Sequence, residues 1–237
     1  MIMTTIASNL QTVRDRIRHA CAVAGRDVTQ VTLLAVSKTF GPEAVAQAEA
    51  AGQRDFGENY VQEGVEKILA VRELLPAQLL CWHCIGPLQS NKTRLVAEHF
   101  DWVQSVDRLK IAQRLSEQRP GHLAPLQICL QVNVDGGANK SGVTPAELPA
   151  LAAAVAALPG LKLRGLMAIP EPAPDFESAR KVFAQVRALF DQLNTQGLGL
   201  DTLSMGMSDD LEAAVAAGST MVRVGRGVFG ARGYANA

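Results

Sequence analysis

The residue of most direct chemical promise is Lys38, which closes the otherwise apolar run VTLLAVSK at 31–38. A lysine there points either into solvent or into an enclosed mouth, where desolvation lowers its pKa and frees the amine as a nucleophile. Glycine is the second signal: S-M-G-M-S at 204–208 and R-V-G-R-G-V-F-G at 223–230 expose backbone amides, with the Ser208 hydroxyl close by in sequence. Bare amides and a helix start can face a phosphate, and the same glycines also suit tight turns and close packing. Cys81 and Cys84 flank Trp82 and His83, a spacing met at metal and redox sites. Residues three apart on a strand face oppositely, however, so the two thiols cannot chelate together, and no second cysteine pair follows. Cys129 reads as a small buried hydrophobe. The phosphate-loop, nucleophile-elbow and zincin motifs are all absent.

These residues need a scaffold, and the chain spells one out as an alternation. Ile6, Leu10, Val13, Ile17 and Cys21 recur every three or four residues, which predicts an amphipathic helix over 5–25. Strand-like runs then follow at 31–38, 54–57, 81–86, 101–107, 126–134, 163–170, 201–208 and 220–225. Helical stretches separate them at 43–51, 60–74, 90–98, 108–118, 145–157, 175–195 and 209–217. Helices between consecutive strands impose parallel pairing, and eight tilted parallel strands can close on themselves. The fold expected is a single α/β (β/α)₈ TIM barrel with an extra N-terminal helix, the barrel spanning about 31–232. An open doubly wound sheet is the alternative. No linker or low-complexity block marks a boundary, so the 237 residues read as one domain.

In a barrel the chemistry gathers at the carboxyl ends of the strands. Those ends supply Lys38, Glu58-Asn59, His83 and Gly86, Asp107, Asn133, Met167, Ser208 and Arg223-Val224-Gly225. Asn59, Asp107 and Asn133 equally suit ordinary turns and helix caps. The loops after the seventh and eighth strands are the usual phosphate region of such barrels. Lys38 together with those loops suggests a phosphorylated carbonyl compound held as a Schiff base. Pyridoxal phosphate fits that description, and so do the phosphosugars of aldolase-type barrels.

Composition sets limits on the rest. The 23 basic and 23 acidic residues balance, which argues against nucleic acid or an anionic membrane surface as the main partner. No run approaches the roughly 18 apolar residues of a membrane span, and the N-terminus lacks a basic-then-apolar leader. Four cysteines are too few for a disulfide scaffold. The expectation is a cytoplasmic globular protein.

Five motifs sharpen this reading: LLAVSKTF at 33–40, FGENYVQE at 56–63, WHCIGPLQSNK at 82–92, GLMAI at 165–169 and SMGMSDDLEAAVAAGSTMVRVG at 204–225. With them the chain resembles the pyridoxal phosphate homeostasis protein family, single-domain relatives of the alanine racemase barrel among the fold-type III pyridoxal phosphate proteins. The resemblance runs from about residue 5 to 232. It implies pyridoxal 5′-phosphate as cofactor, Lys38 as the Schiff-base lysine, and a phosphate site at Ser208 and the amides of Gly225 and Arg226. Arg223 is implied opposite the pyridine nitrogen, and Asn59, His83 and Met167 along the cofactor's mouth. Two departures from the family pattern stand out: Gly137 stands where a glutamate is common in the loop NVDGGANKSG (133–142), which keeps Asn133 and Lys140, and Arg226-Gly227 replace a commoner small pair.

An arginine facing the ring nitrogen disfavours its protonation and weakens the ring as an electron sink. Racemases of this fold type add a second domain and a tyrosine acid/base. Here the chain ends at Ala237, and neither Tyr60 nor Tyr234 matches that tyrosine's motif. The resemblance therefore implies a carrier or buffer of pyridoxal phosphate, a monomer that serves pyridoxal phosphate-dependent apoenzymes. A low-activity amino-acid racemase, or another pyridoxal enzyme with Lys38 as base, is the alternative.

Overall fold

The computed structural model describes residues 5–136 and 141–230. Eight parallel strands follow one another in sequence order and close, β8 pairing back onto β1. They are β1 (Thr32–Val36), β2 (Asp55–Glu58), β3 (Cys81–Cys84), β4 (Trp102–Val106), β5 (Leu126–Gln131), β6 (Leu161–Met167), β7 (Thr202–Ser204) and β8 (Met221–Val224). The expected α/β barrel is present, and closure removes the edges an open sheet would expose.

The helices are α1 (Ile6–Val23), α2 (Pro42–Ala50), α3 (Val61–Leu74), α4 (Thr93–His99), α5 (Leu109–Gln118), α6 (Leu148–Ala156), α7 (Phe176–Thr195), α8 (Leu211–Ala216) and α9 (Arg226–Phe229). None of them is long and apolar enough to cross a membrane. α1 begins with a reciprocal cap: the Ser8 amide donates to Thr5 Oγ1 at 3.1 Å, and the Thr5 amide donates to Ser8 Oγ at 3.0 Å. It buries Leu10, Val13, Ile17 and Cys21; apolar side chains of Val, Leu and Ile size are worth roughly 1.5–3 kcal/mol each when fully buried. The short α9, not expected from the sequence as a separate helix, packs beside it.

Strand alternation sorts the interior into two populations. Leu33, Ala35, Phe56, Trp82, Cys84 and Val103 belong to the main core between sheet and helices. Leu34, Val36, Ile85 and Met221 form a separate cluster inside the barrel, and Trp102, Cys129 and Met167, with Cys81 against them, form another. Cys81 and Cys84 thus fall on opposite sides of β3, as their spacing requires. Cys129 is fully buried, as expected. The barrel interior also holds Gln104, Ser204, His83 and Arg223, all buried, so its core is polar along one line.

Several strands end earlier than the apolar runs suggest. β1 stops at Val36 and β3 at Cys84, and β5 stops at Gln131, well before Val134. Strand-like composition continues through the first loop residues because these also pack inward. Gly137 and Lys140 lie outside the described residues, as does Tyr234.

Candidate functional site

At the carboxyl mouth of the barrel lies a cavity of about 690 Å³, lined by Lys38, Asn59, Ser208, Arg223, Gly225 and Arg226 together with apolar Val36, Ile85, Ile169 and Met207. This volume lies within the range of small-molecule and cofactor sites. Six of the eight residues expected from the sequence meet there.

Lys38 sits two residues beyond β1 in a tight turn and is half-buried. Thr39, next to it, has φ of 69°, an unusual left-handed conformation for a β-branched residue. The turn is held from behind. The Thr39 amide donates to Glu63 Oε1 at 2.6 Å. Lys67 Nζ donates to the Ser37 carbonyl at 2.7 Å, to Glu58 Oε1 at 2.6 Å and to Glu63 Oε1 at 3.1 Å. The Ser37 hydroxyl adds a bond to Glu58 Oε1 at 2.6 Å. Burial pushes the Glu58 carboxyl up, while Lys67 and Ser37 pull it back. Sequence reasoning missed this Lys67–Glu58 pair, because a lysine on an amphipathic helix reads as a solvent-facing residue.

Asn59 follows β2. Its carbonyl lies only 2.1 Å from where a β-carbon on Gly86 would stand, so the approach of these two loops requires glycine. Asn59 Oδ1 is buried and has no hydrogen-bond partner among the described residues. Buried polar atoms are usually satisfied, so this orphan on the cavity wall fits a polar ligand group.

The glycine-loop corner of the cavity is built from β7, β8 and α1. Gly206, with φ of 94°, lies so close to α8 that an added β-carbon would stand 2.4 Å from that of Ala214. The Met207 amide donates to Asp210 Oδ1 at 2.6 Å, which fixes the turn into Ser208. Arg16 of α1 donates to the Ser208 carbonyl at 2.9 Å and pairs with both oxygens of Glu212 at 2.9 Å. Asn9 donates to the Val228 carbonyl at 3.0 Å, tying α1 to α9. Gly225 caps α9, whose first amides have no carbonyl partner within the helix. Phe40 stacks on Phe229 with ring centroids 5.1 Å apart, linking the Lys38 loop to this corner. The extra helix thus braces the glycine loops, a role no periodicity in the sequence signals.

Arg223 is at the cavity floor and buried. Its Nη1 donates to the Ser204 carbonyl and hydroxyl, both at 2.8 Å, and its Nη2 donates to the Ala168 carbonyl at 2.8 Å. Burial lowers its pKa to about 10, against the attraction of Asp210, so it stays cationic at neutral pH.

His83 and Met167 do not reach the cavity. Both are fully buried one layer deeper in the barrel, and Ile85 and Ile169, two residues further along each chain segment, take the wall instead. Alternation puts each pair on the same face, so the sequence fixes the face but leaves the height undetermined. His83 stacks on Trp102 at 5.1 Å and faces Gln104 Nε2 through Nδ1 at 2.9 Å. Gln104 Oε1 accepts from the Ser204 hydroxyl at 2.6 Å, so a continuous line of contacts runs from His83 to Arg223.

The alanine racemase N-terminal domain family matches residues 8–233. A pyridoxal phosphate homeostasis protein of Pseudomonas aeruginosa is 61% identical over 232 residues, covering 98% of both chains. One from Escherichia coli K12 is 56% identical, covering 98% of this chain and 99% of its own. Among solved structures, PipY of Synechococcus elongatus, determined with PLP bound, has a TM-score of 0.81 and 38% identity, covering 95% of this chain and all of that one. Alanine racemase from Corynebacterium glutamicum, at 17% identity and TM-score 0.67, shares the fold and is covered over 63% of its length. The chain belongs to the pyridoxal phosphate homeostasis protein family, built on the alanine racemase N-terminal domain.

Proposed function

We propose that this chain binds pyridoxal 5′-phosphate covalently, as a Schiff base on Lys38, and acts in pyridoxal phosphate homeostasis as a carrier or buffer for pyridoxal phosphate-dependent apoenzymes. The observation that carries the reading is the single cavity that collects Lys38, Arg223 and the Ser208–Gly225–Arg226 corner around one small-molecule volume. The homeostasis proteins at 51–61% identity and the PLP-bound PipY structure support it.

When bound, the cofactor supplies an aldehyde for an amine and a ring that can take up electrons. Lys38 Nζ would take the aldehyde carbon, with loss of water. The Ser208 hydroxyl and the amides of Gly225 and Arg226 would hold the phosphate, helped by the positive start of α9. Arg223, pinned on one side by Ser204 and Ala168, would face the ring nitrogen and keep it unprotonated. Asn59 Oδ1 would gain the partner it lacks. Among the described residues, Lys38, Asp209, Arg223 and Arg226 are the titratable groups on the cavity wall, and Asp209 stands at an exposed rim. That set offers no tyrosine or histidine to pass a proton to the face opposite Lys38, which favours reversible holding over turnover.

The purified protein is expected to be yellow, and borohydride reduction should place the cofactor's mass on the peptide carrying Lys38. A colourless protein, or a label elsewhere, refutes the assignment. Deuterium entering Cα of L-alanine with steady formation of the D-isomer would replace the carrier reading by the racemase one.

A further inference from the structure

At the opposite end of the barrel from the cofactor cavity, Asp55 begins β2 and lies in register with Cys81, which begins β3. His83 follows two residues later on the same inward face. His83 Nε2 is 3.3 Å from Cys81 Sγ and 3.3 Å from Asp55 Oδ1, and the three ligand atoms all lie within 4.8 Å of one another. From these residues we infer a second site, a divalent transition-metal site of zinc type made by Asp55, Cys81 and His83 at the amino-terminal mouth.

The two separations from His83 Nε2 suit such an ion, and the Cys81 and Asp55 side chains need only close toward each other from within 4.8 Å. With Zn–S near 2.3 Å and Zn–N and Zn–O about 2.0–2.2 Å, tetrahedral edges come to about 3.3–3.6 Å. The ligand set is right in kind: a thiolate, an imidazole and a carboxylate select a borderline-soft ion over calcium or magnesium. Charge balances too. Binding expels the Cys81 thiol proton to solvent, so one thiolate and one carboxylate neutralise the 2+ ion inside a partly buried mouth. The Asp55 side chain is 30% exposed, which leaves an entry path and room for a water as fourth ligand. The hydrogen-bonded cluster without metal is the competing reading, and it leaves a half-buried thiol beside a carboxylate, with Asp101 adding further negative charge near it.

The surroundings can orient the histidine. Trp102 stacks on its ring, and Arg164 lies over the same indole at 4.8 Å. Gln104 Nε2 presently faces His83 Nδ1, which puts the ring proton on Nε2. Metal binding moves that proton to Nδ1 and requires the Gln104 amide to turn, so that its oxygen accepts from Nδ1–H. Ser204 Oγ, now a donor to Gln104, then accepts from the turned amide, and its own proton must find another acceptor. Outer partners of this kind commonly fix the tautomer of a metal-bound histidine.

Untagged protein, freed of metal by dialysis against chelator, should bind one equivalent of Co²⁺ with a sulfur-to-cobalt charge-transfer band, and Zn²⁺ should displace it. Cys81→Ser should abolish the band, and Asp55→Asn and His83→Gln should each weaken Zn²⁺ binding at least ten-fold by calorimetry. Cys84→Ser, which alters a thiol on the other face of β3, should leave both readouts unchanged. Circular dichroism and the thermal midpoint check that each variant folds. Absence of the band in the folded wild-type protein, its survival in Cys81→Ser, or its loss in folded Cys84→Ser overturns the site. Because Lys38 is not among the ligands, borohydride labelling tests the cofactor reading separately.

Discussion

Removing the Lys67 ammonium should destabilise the fold and loosen the turn that carries Lys38. The Lys67 and Glu58 side chains are 4% and 0% exposed and their charged atoms are 2.6 Å apart. Lys67→Met strips Glu58 of its counter-ion while leaving the carboxylate buried, with Oε2 already unpartnered. Breaking one half of a buried pair costs about 3–5 kcal/mol. An unfolding entropy of about 2.1 cal/mol/K per residue over a chain of this size gives about 0.5 kcal/mol/K, so the thermal midpoint should fall by about 6–10 °C. The pH dependence has a definite sign. Burial holds the Glu58 carboxyl above its unfolded value, so between the unfolded and folded pKa the native state binds more protons, and stability falls as pH rises through that window. The variant, lacking the opposing ammonium, should be least impaired at acid pH and most impaired near neutrality. Adding Glu58→Gln removes the charge and keeps an acceptor for Ser37, and should recover at least about 1 kcal/mol in the double-mutant cycle. Urea melts followed by circular dichroism at two pH values provide the assay. A loss below about 1 kcal/mol for Lys67→Met, or no recovery in the double variant, would refute the claim that this pair is a buried ion pair whose carboxylate needs its partner.

Two further outcomes follow from local geometry. Gly86→Ala should cost at least about 2 kcal/mol, since its β-carbon would stand 2.1 Å from the Asn59 carbonyl oxygen and overpacking costs about 1–3 kcal/mol; wild-type stability and an unmoved cavity would contradict that close approach. Arg16→Ala removes a half-exposed ion pair with Glu212, worth no more than about 1 kcal/mol of stability. It also frees the Ser208 carbonyl, so cofactor affinity measured by equilibrium dialysis should weaken several-fold, and unchanged affinity would show that α1 does not brace the Ser208 corner for a ligand.

The sequence by itself determined the alternation of eight strands with helices, the amphipathic α1, the opposite faces of Cys81 and Cys84, and the association of Lys38 with the glycine loops. Those features are local: period, punctuation and residue type are written along a short stretch of chain. It also placed Arg223 at the carboxyl end of the eighth strand. Tertiary structure alone decided how high each inward residue sits, because height in a closed barrel depends on strand tilt and stagger, which no single strand encodes. That is why His83 and Met167 lie beneath the cavity while Ile85 and Ile169 line it. The Lys67–Glu58 pair, the hold of Arg16 on Ser208 and the meeting of Asp55 with Cys81 and His83 were likewise invisible in sequence. Each joins residues from different elements, and only closure of the barrel and packing of its helices bring their charged atoms within bonding distance.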